Sequence, residues 1–239
     1  MGLANCPMGG GPKRFSMTAY QQLSTSIVGL QSNIQRFIEV FLMPPKIYRW
    51  PRRSRVLFFL LAGLICCCCS KNYRPLNLSS WNVPFEQQTL ATWRRALEVK
   101  FTAIFDLCHG LMPMLRAADG ASIINIASTY GIHGPDWSLY ESTTMGNPAA
   151  YGASKGGLIQ FTRWLATTLA RAVRVNAISP GGISRNQPCQ FIARYAAKIP
   201  LQRIATEDDM RGAVAYMASD LSKYVTGQTL PVDGGWGLW

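Results

Sequence analysis

Acidic residues are almost absent from the first third of this chain. Residues 1–84 contain ten lysines and arginines but a single acid, Glu39, whereas residues 85–239 contain fourteen basic and eleven acidic residues. The formal net charge of +12 therefore belongs mainly to the first third. A basic surface attracts nucleic acid or membranes. Because no nucleic-acid-binding motif accompanies this charge, we predict no nucleic-acid partner.

The chain also lacks an apolar run with the length of a membrane-spanning helix. The run from Val56 to Cys69 has fourteen residues, whereas a spanning helix needs ~20. This length favours a buried segment over a membrane anchor. We therefore predict a protein without a membrane partner.

Cysteines with the spacing of a metal site are missing as well. Four of the seven cysteines form one run at residues 66–69, and Cys6, Cys108 and Cys189 are isolated. Four adjacent thiols cannot all face one ion with tetrahedral geometry, so we predict no metal site. An odd number of cysteines without a secretory signal indicates a reducing compartment, and the predicted location is cytoplasmic.

An orderly alternation of helices and strands begins near Pro84. Apolar residues at helical spacing predict helices over residues 86–116, 149–171, 190–197 and 207–219, the last capped by Thr206. Short apolar runs predict strands over residues 121–128, 173–179 and 229–232. This alternation predicts an α/β fold, a Rossmann-like doubly wound parallel sheet with helices on both faces. Residues 1–84 are predicted to be an atypical basic and apolar segment that does not form the usual first βαβ units.

Three polar side chains lie where this sheet is expected to bind a ligand. Tyr151 and Lys155 are four residues apart, so they share one face of the predicted helix. An ammonium close to a phenol favours the ionised phenol and suits it to acid–base work. Ser128 ends the preceding strand, at the edge where parallel sheets bind ligands. Taken alone, the Tyr-x-x-x-Lys pair is better explained as surface residues, because such pairs are common. The strand-end serine and the turn at residues 180–182 favour a catalytic site instead.

The chain from about residue 85 to residue 239 resembles the short-chain dehydrogenase/reductase family. The matching segments are IINIAS (123–128), YGASKGGL (151–158), VRVNAISPGGI (173–183) and DLSKYVTGQTLPVDGGW (220–236). The resemblance implies an NAD(P)-dependent oxidoreductase that acts on a small molecule and assembles as a homodimer or homotetramer. It implies that Tyr151 is the general acid/base and that Ser128 orients the substrate oxygen. It further implies that Lys155 lowers the pKa of Tyr151, and that the cofactor is contacted by Tyr151, Lys155, Pro180, Gly181, Gly182 and Ile183.

The stretch between Ser128 and Tyr151 is long and aromatic, and it narrows the resemblance. Together with ISPGGISRNQP (178–188), it is most similar to bacterial oxidoreductases of flagellin modification and legionaminic-acid-type sugar biosynthesis. This similarity implies a sugar or sugar-nucleotide substrate. The side chains implied to hold it are Tyr130, Trp137, Tyr140 and Glu141. The alternative is a covering loop whose aromatic side chains pack for stability, and both interpretations stay open.

The family's glycine-rich phosphate-binding turn is missing from the first third. Residues 1–84 contain six glycines, and none is placed as T-G-x-x-x-G-x-G after an apolar strand. The segment Asn77-Leu78-Ser79-Ser80 stands where the family has Asn-Asn-Ala-Gly, and Lys100 stands where it usually has a catalytic asparagine. Residues 1–84 are therefore either an out-of-frame translation or a diverged segment. Two functions follow: an active oxidoreductase, or a catalytically silent subunit that has lost cofactor binding and pairs with homologues through its two long helices.

Overall fold

The computed structural model describes residues 58–61 and 82–238, which form a parallel sheet flanked by helices. The strands are β1 (Phe58–Leu61), β2 (Ala121–Ile126), β3 (Val173–Pro180) and β4 (Thr229–Val232), in the order β1-β2-β3-β4 with every pairing parallel. The helices are α1 (Leu90–Leu97), α2 (Ala103–Ala117), α3 (Ala149–Leu169), α4 (Cys189–Ala197) and α5 (Asp208–Ala218). The predicted strands and helices after residue 84 are all present.

The side chains of β2 alternate between two packed layers. Ile123 packs with Val175 of β3 in the cluster formed with α2 and α3. Ile124 packs with Ile178 against Met217 and its neighbours on α5. Because both faces of the strands are covered, apolar residues are needed at every position, which explains the continuous apolar runs in the sequence. The predicted α/β fold with helices on both faces is confirmed.

Two element boundaries differ from the prediction. The first helix begins at Leu90 instead of residue 86, because the side chain of Thr89 caps it by accepting a hydrogen bond from the backbone N–H of Thr92. It is also not one regular helix, since Glu98–Thr102 forms a π-helical segment between α1 and α2. The second strand ends at Ile126, two residues before Ser128.

The start of α5 differs from the prediction too. Its N-cap is Glu207, and the prediction that Thr206 caps this helix is wrong. Thr206 instead donates its backbone N–H and its hydroxyl to the carboxylate of Asp209, which also pairs with Arg203. The Asp209 carboxylate thus accepts hydrogen bonds from Thr206. The prediction had the Thr206 side chain as the acceptor, so the roles of donor and acceptor are reversed.

We expect Asp209→Asn to reduce the acid sensitivity of folding. The hydrogen bond from Arg203, and to a smaller extent those from Thr206, hold the pKa of Asp209 below its ordinary range. Such a carboxyl stabilises the folded state above its unfolded pKa of ~3.9, and this stabilisation is lost as the pH falls below that value. Urea unfolding at pH 7 and pH 3 measures the effect, with Asp208→Asn as the neighbouring control. An unchanged pH dependence in Asp209→Asn would contradict the expectation.

Within residues 1–81, the structure describes one short strand. Phe58–Leu61 lies within the apolar run from Val56 to Cys69 and pairs with Ser122 to Asn125 of β2. The run therefore contributes a strand to the sheet. No helix within residues 82–238 is long and apolar enough to cross a membrane.

The other predictions for the first third fall on residues 1–57 and 62–81, outside the described residues. They comprise the missing glycine-rich turn, the run of cysteines, and the choice between an out-of-frame and a diverged segment. The described residues all belong to one compact unit.

Candidate active site

The carboxyl end of β2 and the first turns of α3 bring the predicted catalytic residues to one edge of the sheet. Lys155 is buried, with 4% of its surface exposed, and its Nζ donates a 2.7 Å hydrogen bond to the carbonyl of Ile126, the last residue of β2. The same ammonium lies 5.8 Å from the centroid of the Tyr151 ring. Ser128 follows the strand by two residues and is also buried. The lysine thus ties the helix that carries the tyrosine to the strand that precedes the serine.

Glycines allow this close approach of helix and strand end. A Cβ atom on Gly131 would lie 2.7 Å from the carbonyl carbon of Lys155 and 2.9 Å from the nitrogen of Gly156. A Cβ atom on Gly152 would lie 3.1 Å from the carbonyl oxygen of Tyr130. Gly131 and Gly152 are therefore explained by the close backbone contact between α3 and the turn at Thr129–Gly131.

Lys100 supplies a second ammonium beside Tyr151. It lies in the π-helical segment Glu98–Thr102, is 8% exposed, and places its Nζ 5.4 Å from the centroid of the Tyr151 ring. π-Helical turns occur mostly as insertions in α-helices and often at functional sites. Lys100, which stands where the family usually has an asparagine, thus lies beside Tyr151. It places a cation where an asparagine would place a neutral amide.

The turn after β3 is held by Tyr195, a residue that the sequence analysis missed. Gly182 donates its backbone N–H to the Tyr195 hydroxyl over 2.6 Å, and Gly181 donates to the carbonyl of Val232 over 3.0 Å. Cβ atoms on the two glycines would lie 2.7 Å and 2.9 Å from atoms of Tyr195. Burial raises the pKa of Tyr195 to about 12, so its hydroxyl stays neutral. The glycines of the predicted nicotinamide turn, Pro180 to Ile183, are thus required by packing within the chain.

The long stretch between Ser128 and Tyr151 folds along a cleft of about 710 Å³. Tyr130, Trp137 and Tyr140 line it, and the Tyr130 and Tyr140 hydroxyls are hydrogen-bonded over 2.7 Å. Glu141 is not brought to the cleft: its side chain is exposed, and its backbone carbonyl accepts a hydrogen bond from Arg194. Three of the four side chains proposed to hold a substrate therefore share one cavity.

The walls of this cleft are mostly aromatic and apolar, and its polar groups include amides, phenols and the imidazole of His133. Its described lining contains no Asp, Glu, Lys or Arg. Two amide side chains join the segment before α1 to the segment before α3: Asn82 donates to the carbonyl of Thr144, and Gln88 accepts from the backbone N–H of Ala149. A third amide, Asn147, lines the cleft itself. Nothing in the sequence pattern singled out these amides.

Asn176, within the family-like segment VRVNAISPGGI, has a structural role. Asn176 is fully buried in β3, donates to the carbonyl of Val225 and accepts from the backbone N–H of Gln228. It therefore joins β3 to the segment that leads into β4.

Known proteins match this chain in sequence and in fold. The family model described as enoyl-(acyl carrier protein) reductase matches residues 77–237. The post-translational flagellin modification protein A of Campylobacter coli is 39% identical over 118 residues, which cover 49% of this chain and 46% of that protein. The cis-4-hydroxycyclohexanecarboxylate dehydrogenase of Sinomonas cyclohexanicum is 34% identical over 160 residues, covering 64% of this chain and 59% of that protein.

A solved structure matches the same region. The short-chain dehydrogenase from Leptospira borgpetersenii, crystallised with bound NAD+, is 36% identical, with a TM-score of 0.61 over 66% of this chain and 61% of that chain. The chain thus spans less than two thirds of the length of each of these relatives. The matched region contains Ser128, Tyr151 and Lys155, and the expected resemblance is confirmed. The chain belongs to the short-chain dehydrogenase/reductase family.

Proposed function

We propose that this chain is an NAD(P)-dependent oxidoreductase that moves a hydride between nicotinamide and a secondary alcohol or ketone. The observation that carries the proposal is the buried Lys155, which joins the end of β2 to α3 beside Tyr151. This arrangement lies at the carboxyl edge of a parallel sheet, where open α/β folds bind their ligands.

The residues present fit the nicotinamide end of the cofactor. Ser179 supports this fit, because its buried Oγ, at the carboxyl end of β3, has no hydrogen-bond partner within the described residues. A buried hydroxyl without a partner costs free energy, and a bound polar group would satisfy it. The donors at the same edge, the ammonium of Lys155 and the hydroxyls of Ser128 and Tyr151, suit ribose hydroxyls and a substrate oxygen. Pro180 to Ile183 would form the wall beside the nicotinamide ring.

Each catalytic side chain has a defined role in this proposal. The bound cofactor supplies or receives the hydride. Tyr151 gives or takes the proton at the substrate oxygen, and Lys155 holds the ribose and stabilises the ionised phenol. Ser128 orients the substrate oxygen: its Oγ accepts the backbone N–H of Tyr130 over 3.2 Å, so its own proton is directed to another acceptor.

The proposed substrate is a sugar-like ring. The cleft presents aromatic rings, to which the apolar face of a sugar can stack, and neutral polar groups that can bind hydroxyls. The similarity to a flagellin modification protein and to a dehydrogenase named for a hydroxylated cyclohexane ring supports a secondary alcohol on a ring.

We also propose that the chain assembles as a homodimer or homotetramer through α2 and α3. Phe105 of α2 and Trp164 of α3 are each more than half exposed, and both contact the ring of Phe161. Contiguous exposed aromatic side chains of this kind mark interaction surfaces.

Cofactor titration tests the proposed function. We expect NADH or NADPH to bind saturably, as followed by nicotinamide fluorescence, and Lys155→Met to weaken this binding about tenfold because a charged hydrogen bond to the ribose is lost. Lys223→Met, on the exposed turn after α5, is the matched control and should bind as the wild type does. No binding at millimolar cofactor would reject the oxidoreductase and leave the catalytically silent subunit.

A further inference from the structure

Two buried ammonium groups on different elements lie close to Tyr151. The Nζ of Lys155 lies 5.8 Å from the centroid of the Tyr151 ring, and the Nζ of Lys100 lies 5.4 Å from the same centroid. Lys155 belongs to α3, whereas Lys100 belongs to the π-helical segment Glu98–Thr102. The proposed mechanism uses Lys155 and gives Lys100 no role, although the second ammonium is no further from the centre of the phenol ring than the first.

The burial of Lys100 strengthens its effect on the phenol. The residue is 8% exposed, so little water screens the interaction between its ammonium and the Tyr151 ring. A neutral phenol attracts a cation only through the electrons of its ring, whereas a phenolate carries a full negative charge that the oxygen and the ring share. The ammonium therefore stabilises the ionised phenol more than the neutral one. The acid on the same segment, Glu98, is exposed.

The other titratable groups that face Tyr151 in the described contacts are phenols. The Tyr130 ring, in the turn after β2, packs edge-on against Tyr151 at 6.5 Å, and Tyr140 interacts electrostatically with Tyr151 from the long stretch. Burial raises the pKa of both Tyr130 and Tyr140, so both stay neutral at neutral pH. The imidazole of His133, on the cleft wall, lies against Gly237. The charges beside the catalytic phenol in these contacts are therefore the two ammonium groups.

We propose that Lys100 is a positioning residue that acts through Tyr151: its ammonium, together with that of Lys155, stabilises the phenolate. A larger share of Tyr151 is then in the proton-accepting form at neutral pH. In alcohol oxidation this phenolate takes the hydroxyl proton while the hydride leaves the same carbon for the oxidised nicotinamide, which yields a ketone and a neutral phenol. Lys100 therefore extends alcohol oxidation towards neutral pH. This inference rests on the proposed function, since it names a residue that serves its proton transfer.

Ultraviolet titration of the full chain without cofactor tests the electrostatic effect directly, because a phenol changes its absorbance when it ionises. Subtracting the titration of Tyr151→Phe from that of its parent isolates Tyr151 from the other tyrosines. We expect Tyr151 to ionise at a pH higher by at least about one unit in Lys100→Met than in the wild type, which is the usual effect of an opposite charge within ~4–6 Å. The same subtraction is made in the Lys100→Met background.

Matched variants assign the effect to the charge of Lys100. Lys100→Arg keeps a positive charge and should leave the ionisation of Tyr151 near its wild-type pH. Lys223→Met removes an exposed charge after α5 and should also leave it unchanged, which controls for the net charge of the chain. Circular dichroism confirms that each variant folds, and Lys100→Gln, a second neutral variant, keeps the test decisive if Lys100→Met does not fold.

The pH dependence of turnover gives a second readout. We expect kcat/KM for the oxidation of cyclohexanol by NAD+ to rise with pH as Tyr151 ionises. On this rising limb, Lys100→Met should be about tenfold slower than the wild type for each pH unit by which the ionisation of Tyr151 moves, whereas the plateau at high pH should be nearly unchanged. A residue with only a structural role would lower the plateau without moving the limb.

The outcomes separate this inference from the proposed function. Saturable NADH binding with an unchanged ionisation of Tyr151 in Lys100→Met would overturn the role of Lys100 and leave the oxidoreductase standing. An upward shift of that ionisation, in a chain that binds no NADH or NADPH, would support the effect of Lys100 on Tyr151 and overturn the oxidoreductase. An equal shift in Lys100→Arg would overturn the argument from charge, because arginine keeps the charge.

Discussion

Tyr151→Phe should abolish turnover and leave the fold intact. The substitution removes one oxygen and keeps the ring, so the edge-on contact with Tyr130 and the positions of the Lys100 and Lys155 ammoniums near the ring are retained. Without the hydroxyl, no group of the proposed mechanism gives or takes the proton at the substrate oxygen. Since general acid–base catalysis contributes ~10²–10⁴-fold, we expect kcat/KM to fall by at least about a hundredfold.

The measurement compares oxidation of ring alcohols by the wild type and by Tyr151→Phe, with NADH formation followed by absorbance. Tyr224→Phe is the matched control, because its side chain is fully exposed in the turn after α5. Both variants should bind the cofactor and unfold at the same urea concentration as the wild type. Retained turnover in Tyr151→Phe would remove the tyrosine from its proposed role.

Gly131→Ala should destabilise the protein and disturb the site together. The added Cβ atom would meet the backbone of Lys155 and Gly156 at 2.7–2.9 Å, and backbone atoms inside a long helix cannot move aside individually. Overpacking of this kind typically costs about 1–3 kcal/mol. The strain is relieved if α3 moves away from the turn after β2, which would draw Lys155 from the Ile126 carbonyl.

Gly110→Ala is the control for this substitution, because it should change stability in the opposite direction. Gly110 lies inside α2, and a Cβ atom built there meets nothing within 4 Å. Alanine is favoured over glycine in a helix interior by about 0.5–1 kcal/mol. Gly131→Ala should therefore unfold at a lower urea concentration than the wild type and bind the cofactor more weakly. Gly110→Ala should unfold at a slightly higher urea concentration and bind the cofactor as the wild type does. Equal stability of the two variants would contradict the tight contact at Gly131.

The sequence predicted the features that depend on local periodicity. The apolar runs of β2 and β3 are continuous because both faces of the sheet are covered, so their strands are visible without a structure. Tyr151 and Lys155 lie on one face of α3 because residues four apart in any α-helix are neighbours on its surface. These signals need only neighbouring residues, and they gave the fold class and the residues of the proposed catalytic site.

Features that depend on contacts between distant elements were not predictable in this way. Tyr195 acts on the turn at Gly182 only because α4 packs beneath it, and no pattern within α4 indicates that contact. The side chain of Glu141 was expected in the cleft, and its exposed position depends on how the loop turns, which its composition does not determine.

The π-helical segment Glu98–Thr102 also limits how this site can change over evolutionary time. Such a segment is commonly an α-helix that has gained one residue, and one residue corresponds to ~100° of rotation about the helix axis. Deleting one residue from it would let α1 and α2 join as a regular helix, turning the part before the deletion relative to the part after it. The position of Lys100 beside Tyr151 thus depends on the number of residues in the π-helical segment. An amino-acid replacement changes which group stands beside the tyrosine, whereas a deletion moves the position itself away from the tyrosine.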